Sequence, residues 1–435
     1  MSMVLVGGRT QRKITLRLLP FVLLLYITAY IDRVNVGFAG LSMTKDLGFS
    51  NEVFGFGAGI FFFGYCLLEI PGAMLAEVWS ARKWIVCIML LWGAVAGCTG
   101  LIHNAVQFSV MRFLLGLAEG GFFPAVIVYL THWFTYEQRG KAIAILMAGI
   151  PLSSAIGAPL AGLLLQVRWL GLPSWRWLLI LEGIPAVLAA IVTFFYLPDR
   201  PADAGWLMPE ERDWIINELR SEQQRKQSFA PARKMAVWRH PVVIAVTLSY
   251  FMLNISGYGL TFWLPKIVQK LSGFGTMQLS LLVAVPYLVS VPAMFLCGWH
   301  SDKRDERRWH ATLAALLGGA GLAFSQVFDG SPALAFTAIT LAAIGMLAYY
   351  PPMWAIPTQF LSERTAAASF GFINLLANLG GFVGPYAVGF FTDRTGNYTA
   401  GIYVLVGTAV AGALIISLVR THDKQEMLPV LAAEA

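Results

Sequence analysis

Twelve apolar stretches, each close to the roughly 20 residues a membrane-crossing helix needs, mark the chain at 18–40, 53–77, 84–102, 108–132, 141–166, 176–197, 241–264, 278–300, 311–328, 332–356, 366–391 and 399–419. They run unbroken rather than alternating residue by residue, so the pattern predicts helices and not barrel strands. Their connections are short, except that the polar stretch 198–240 separates the sixth from the seventh. The predicted fold is an all-α membrane protein of twelve transmembrane helices in two pseudo-symmetric six-helix bundles. An N-terminal tail (1–17), a first bundle (18–197), a linker (198–240), a second bundle (241–419) and a C-terminal tail (420–435) are expected. Within the linker, Pro209 to Gln224 predicts a helix on or near the membrane. Proline suits its first turn, its acids cluster early, and Trp214, Ile215 and Leu219 share an apolar face.

Composition agrees. Hydrophobic residues make up 57% of the 435 and charged ones 13%, against about 25% charged in a soluble domain, and one water-soluble core stops growing near about 250–300 residues. The net charge of +7 does not point to nucleic acid, because the basic residues sit between apolar runs, where they set topology. About 23 of the 31 lysines and arginines fall in the two tails, the linker and the loops after runs 2, 4, 8 and 10, and about six on the other side. That bias predicts both termini and the linker in the cytoplasm, with the chain in a bacterial inner membrane. The first run follows Arg9, Arg12, Lys13 and Arg17 and has no small-residue cleavage site, so it reads as a spanning helix and not a removable signal. The four cysteines lie in apolar runs without paired spacing and read as packing residues. No HExxH or DDxxD cluster occurs, so neither an enzyme, a metal site nor a cofactor is expected.

The chain repeats itself. Gly72 to Lys83, with Glu77 and Arg82, follows the second run; Gly298 to Arg308, with Asp302 and Arg307, follows the eighth. Glu137 to Pro159 and Glu363 to Pro385 span the same 22-residue interval. Two copies of one design facing each other place a substrate site between them, near the membrane midplane.

Charges inside a span cost about 2.5–3.5 kcal/mol each on insertion scales and mark pathways. Asp32 and Arg33 fall in the first run, Arg112 and Glu119 in the fourth. Arg112 and Glu119, seven residues apart, share a helix face about 10 Å apart along the axis. Arginine cannot lose its proton and offers a carboxylate a permanent fork. A shielded carboxyl is pushed toward protonation, and a nearby arginine reverses that push. This is the equipment of a proton-coupled anion carrier, with Asp32 and Glu119 as proton sites and Arg33 and Arg112 at the substrate; static salt bridges between the two runs are the competing reading. Tyr250, Asn254 and Tyr258 line one helix face, as do Asn374 and Asn378, and Tyr349, Tyr350 and Trp354 add aromatic partners. Of these, Asn254, Tyr258, Trp354 and Asn374 are the candidate substrate contacts. Glu69, near the cytoplasmic gate, and Glu182, near a run end, read as structural, and His103 and His132 as poor proton carriers.

The duplicated loops resemble the loop motif of the major facilitator superfamily. The ordered set Tyr30 to Ala39, Arg112 to Pro124, Leu197 to Pro201, Tyr258 to Pro265, Trp354 to Pro357 and Asn378 to Pro385 resembles its anion:cation symporter family, over about residues 10–420. That family includes tartrate, phthalate, galactonate and glucarate carriers and the mammalian sialic-acid and vesicular glutamate transporters; the N-terminal third is most similar to bacterial tartrate-type permeases. The resemblance implies that Asp32 and Glu119 take protons, that Arg112 sits in the substrate site and that Arg33 couples the two. It implies gating roles for Glu77, Arg82, Asp302 and Arg307. The first loop departs from the pattern, with Glu77 for the usual Asp, Val78 for Arg and Ser80 for Gly. The expected function is proton-coupled uptake of a small hydroxy or sugar acid by a monomer whose partners are a small carboxylate, protons and lipid. A proton-independent uniporter or exchanger of the same fold is the alternative.

Overall fold

The computed structural model describes residues 3–228, 239–328, 330–360 and 363–419; the expected tail 420–435 lies outside them. Among the described residues there is no strand, and twelve helices are long and apolar enough to cross a membrane: spans 1 (Val6–Asp46), 2 (Asn51–Val78), 3 (Ala81–Thr99), 4 (Ala105–Thr131), 5 (Gln138–Leu164), 6 (Ser174–Tyr196), 7 (Pro241–Ser272), 8 (Thr276–Arg304), 9 (Arg308–Val327), 10 (Pro332–Phe360), 11 (Ser369–Thr395) and 12 (Thr399–Ser417). Large apolar side chains such as Leu67, Leu188, Phe195, Leu313 and Leu414 face outward, which only an apolar solvent tolerates on this scale.

Local chemistry sets the helix ends. Ser50, Ser80 and Asn104 accept hydrogen bonds from the amides of Val53, Lys83 and Gln107 and so start spans 2, 3 and 4. Pro241 opens span 7, and Gly273, at φ +63°, closes it. The first helix differs from expectation. It begins at Met3 and runs 44 residues to Asp46, because its basic start has a partner. The linker helix (Pro209–Ser228) lies against it, with Arg9 bonded to Glu210 and Glu211 at 2.7 and 3.1 Å and Lys13 to Glu211 at 2.8 Å. Ile215 is fully buried, and Trp214 packs so close that a Cβ on Gly7 would lie 2.8 Å from its ring. The apolar face read from the sequence thus covers protein.

Four spans are broken: span 4 at Gly120–Gly121, span 5 at Ala148, span 10 at Tyr349 and span 11 at Leu379. Spans 4 and 10, and 5 and 11, occupy the same place in the two halves, so the breaks follow the duplication seen in the sequence. At span 4 the cause is close packing: a Cβ on Gly116 or Gly120 would fall 1.8 or 2.2 Å from the carbonyl oxygens of Phe61 and Tyr65 on span 2.

The halves meet along two seams, and between them span 1 touches span 7, where a Cβ on Gly37 would lie 3.0 Å from the Phe262 carbonyl oxygen. Span 2 lies on span 11, with Gly55 pressed against the Pro385 carbonyl; span 5 lies on span 8, where a Cβ on Gly162 would come 2.6 Å from the Ser280 Cβ. Both seams are tight at the end that carries the 46–51 loop, here called the rim. There Asp393 of span 11 accepts hydrogen bonds from the Asn51 and Glu52 amides at 3.1 and 2.7 Å and from the Asn51 side chain at 2.9 Å. One half therefore caps the first turn of a helix in the other. Glu52 in turn accepts from Tyr386 at 3.0 Å and pairs with Arg394 at 3.3 Å.

Candidate functional site

Successive residues on a helix point about 100° apart, and span 1 uses this to send Asp32 and Arg33 in different directions. Arg33 turns to the middle of the molecule. Its Nε donates to Glu119 Oε1 at 3.1 Å, Nη2 donates to the same oxygen, and Nη1 lies 3.4 Å from the Tyr258 hydroxyl in the other half. The rings of Tyr30, Tyr65 and Phe61 surround the guanidinium with centroids 4.4, 4.8 and 5.3 Å away, a cation–π cage. Asp32 turns into the first half, where it accepts from Trp92 Nε1 at 2.6 Å.

Arg112 is 1% exposed and stands over Phe61 at 5.0 Å, yet its Nε and Nη2 have no hydrogen-bond partner. It lies within electrostatic reach of Glu119, Arg33 and Asp32. Glu119 Oε2 and Asp32 Oδ1 are likewise buried without a donor. Two acids and two arginines are thus gathered with only one pair closed. A buried guanidinium with free N–H groups is a seat for an anion, since leaving it unpaired is costly and a carboxylate matches its fork.

The second half contributes unevenly. Tyr258 packs against Phe62 with the rings tilted, centroids 4.4 Å apart, and faces Arg33. Asn254 donates to the Ala377 carbonyl at 2.9 Å and accepts from Tyr350 at 3.4 Å, so its amide is engaged within its own half. Trp354 packs edge-on to Tyr250 and Phe370, each at 5.4 Å. Asn374 donates across the seam to Glu69, which is 4% exposed. Among the described side-chain bonds between spans 2 and 11, that one lies farthest from the rim. The sequence reading set Glu69 aside; the signal it carried was its spacing one turn from Tyr65.

The two loop motifs are built differently. Asp302 and Arg307 pair at 2.6 Å. Arg82 instead donates its backbone N–H to Asp199 at 3.0 Å and its side chain to the Leu197 carbonyl at 3.3 Å, while Glu77 is exposed. Its partner is the start of the linker, in keeping with the first loop's departure from the usual pattern. His132, just past span 4, is held below the ordinary imidazole range by burial and by Arg200, and so is neutral at pH 7.

Two pseudo-symmetric helical halves, sealed at one end around buried charges, define a membrane carrier that works between its halves. The chain belongs to the Major Facilitator Superfamily, whose sequence profile matches residues 22–385. It is 43% identical to a putative tartrate transporter of Agrobacterium vitis over 96% of each chain. It is 35% identical to a quinolone resistance transporter of Acinetobacter baumannii over 94% of each chain. The inward-open xylose transporter XylE of E. coli superposes with a TM-score of 0.74 at 15% identity, covering 96% of this chain and 99% of that one, which is a likeness of fold. The protein is a multi-pass membrane transporter and not an enzyme.

Proposed function

We propose that this carrier takes up a small organic anion, a hydroxy or sugar acid such as tartrate, by proton-coupled symport with alternating access. One observation carries the reading: Arg112, buried with free guanidinium nitrogens beside the closed Arg33–Glu119 pair. A substrate carboxylate that settles on Arg112 and Arg33 competes with Glu119 for Arg33. A Glu119 released from its cation in a buried site takes up a proton, so substrate and proton load together. Tyr258 and Asn374, from the other half, reach the substrate hydroxyls and tie loading to closure. The Agrobacterium relative supports a hydroxy-dicarboxylate, while the quinolone resistance relative indicates that family membership alone does not choose the substrate; the choice of a carboxylate rests on the two arginines.

In this reading residues 18–197 and 241–419 are the moving halves, and the basic bias puts both termini and the linker in the cytoplasm of a bacterial inner membrane. The rim then faces outward, and the site opens to the cytoplasm. Asp302–Arg307 and the Arg82–Asp199 contact gate that side.

Glu119→Gln tests the mechanism. The amide keeps the shape and the Arg33 contact but cannot release a proton. Expected is loss of pH-driven accumulation with retained exchange of external for preloaded substrate, measured on one proteoliposome preparation. A well-folded variant that still concentrates substrate under a proton gradient overturns the coupling role. A wild-type protein that exchanges substrate but ignores the gradient favours the exchanger or uniporter.

A further inference from the structure

We infer that Glu182 is a second proton-transfer carboxyl, which exchanges a proton with Asp32 inside the first half, off the seam along which the substrate moves. The inference rests on the proton-coupled reading above and extends it.

Glu182 of span 6 is 3% exposed, and neither of its oxygens accepts a hydrogen bond of ordinary geometry. Its polar neighbours are Asp32 and Asn35, one turn apart on the same face of span 1. Span 3 completes the site. Trp92, which holds one Asp32 oxygen, precedes Gly93, and a Cβ on Gly93 would lie 2.8 Å from the Gly183 carbonyl. Only glycines let spans 3 and 6 press together here, and that contact brings Glu182 against the Asp32 side of span 1.

The chemistry of this cluster is unbalanced. Asp32 Oδ1, both Glu182 oxygens and Asn35 Oδ1 are buried acceptors without a donor. The Asn35 amide is the one neutral donor beside Glu182, and its two N–H groups cannot satisfy four acceptor oxygens; carboxylates only accept, so the missing donor is a protonated acid. The groups facing Asp32 are Trp92, Glu119 and Arg112; those facing Glu182 are Asp32 and Asn35. The cations thus stand on the Asp32 side and none of these neighbours of Glu182 is positive, so of the two acids Glu182 is the one that holds a proton at rest. When Arg112 engages a substrate carboxylate, Asp32 loses that cation's support and becomes the better base. The Glu182 O–H proton then passes to the Asp32 carboxylate. One O–H bond breaks and one forms, and the pair keeps a single negative charge. Glu182 lies eight residues, about 12 Å, along span 6 from its rim-end start at Ser174, so it is refilled from the rim side and not through the seam.

The test uses Glu182→Gln and Glu182→Asp in the full-length protein reconstituted in liposomes, with melting temperature, counterflow and pH-gradient-driven uptake of tartrate measured for each. Expected for Glu182→Gln is driven uptake at least tenfold below wild type, counterflow within twofold of it and an unchanged melting temperature, with part of the driven uptake restored in Glu182→Asp. Driven uptake equal to wild type in Glu182→Gln overturns the inference. So does a parallel fall of melting temperature, counterflow and driven uptake in both variants, which is the signature of a packing residue. Failure of this inference alone shows as a normal Glu182→Gln beside an uncoupled Glu119→Gln; failure of the proton-coupled reading shows in the wild type, which then ignores the gradient.

Discussion

Asp393→Ala removes the rim contact in which span 11 caps the first turn of span 2. The carboxylate takes two backbone N–H groups that span 2 cannot satisfy itself, while Ser50 takes the Val53 amide. Loss of a helix cap costs about 0.5–2 kcal/mol, and a carboxylate at a helix N-terminus contributes about 0.3–1 kcal/mol more at an exposed site. Asp393 is exposed, so solvent screening favours a total near 1–2 kcal/mol. Because the contact joins the halves, that loss falls on the rim-closed state alone. At about 1.4 kcal/mol per tenfold, the rim-open population rises roughly 5- to 30-fold. Ser280, fully buried against Gly162 in the other seam near the rim, is the reporter. Ser280→Cys is nearly isosteric and is placed in a background without Cys66, Cys87, Cys98 and Cys297. The expected outcome is a 5- to 30-fold faster reaction of that thiol with an impermeant maleimide in Asp393→Ala, and an intermediate rate in Asp393→Asn, whose oxygen still accepts. Equal rates in two equally stable proteins refute the reasoning.

Three further outcomes are expected. Arg112→Lys keeps the fold but lowers uptake at least about tenfold, because a point ammonium cannot replace a bidentate fork; near wild-type uptake removes Arg112 as the carboxylate clamp. A cysteine at Leu431 stays unlabelled by an impermeant maleimide added outside intact cells, and labelling there reverses the proposed topology. Burial acts to raise the Glu211 pKa, but Lys13 and the Met208 amide outweigh it and hold the carboxyl below the ordinary range. Its contribution to clamping the linker helix is therefore complete above the usual glutamate value of about 4.3 and lost as pH falls through the depressed one. Spin labels on the N-terminal helix and the linker helix then separate only in acid, and Glu211→Gln weakens the clamp at pH 7.

The twelve spans were legible because lipid demands long apolar runs whatever their partners. What escaped was decided by partners. The helix from Met3 continues through four basic residues because the linker supplies Glu210 and Glu211, a contact 200 residues away in sequence. The sequence placed Arg112 and Glu119 on one helix face, yet the closed pair is Arg33–Glu119, since span 2 packs on Gly116 and Gly120 and sets the rotation of span 4. Glu69, near the cytoplasmic gate, and Glu182, near a run end, read as structural; nothing local says that one bonds Asn374 and the other stands by Asp32. Trp92 gave no signal, being one tryptophan among fourteen.

The matched helix breaks decide where this molecule is mechanically soft. At Ala148 and Tyr349 the backbone bonds stretch to 3.2–3.4 Å, and at Leu379 the amide reaches back only three residues. These amides form the compliant part of a frame whose other eight spans are continuous. Because the soft points recur six spans apart, each half bends at the same steps of its own bundle, and a strain entering one half has an equivalent joint to absorb it in the other. Hydrogen exchange should map this as four short fast-exchanging stretches within slow helices, around 120–121, 148, 349 and 379. The carrier then behaves as two stiff shells with paired elastic staves, and rocking need not unwind any helix.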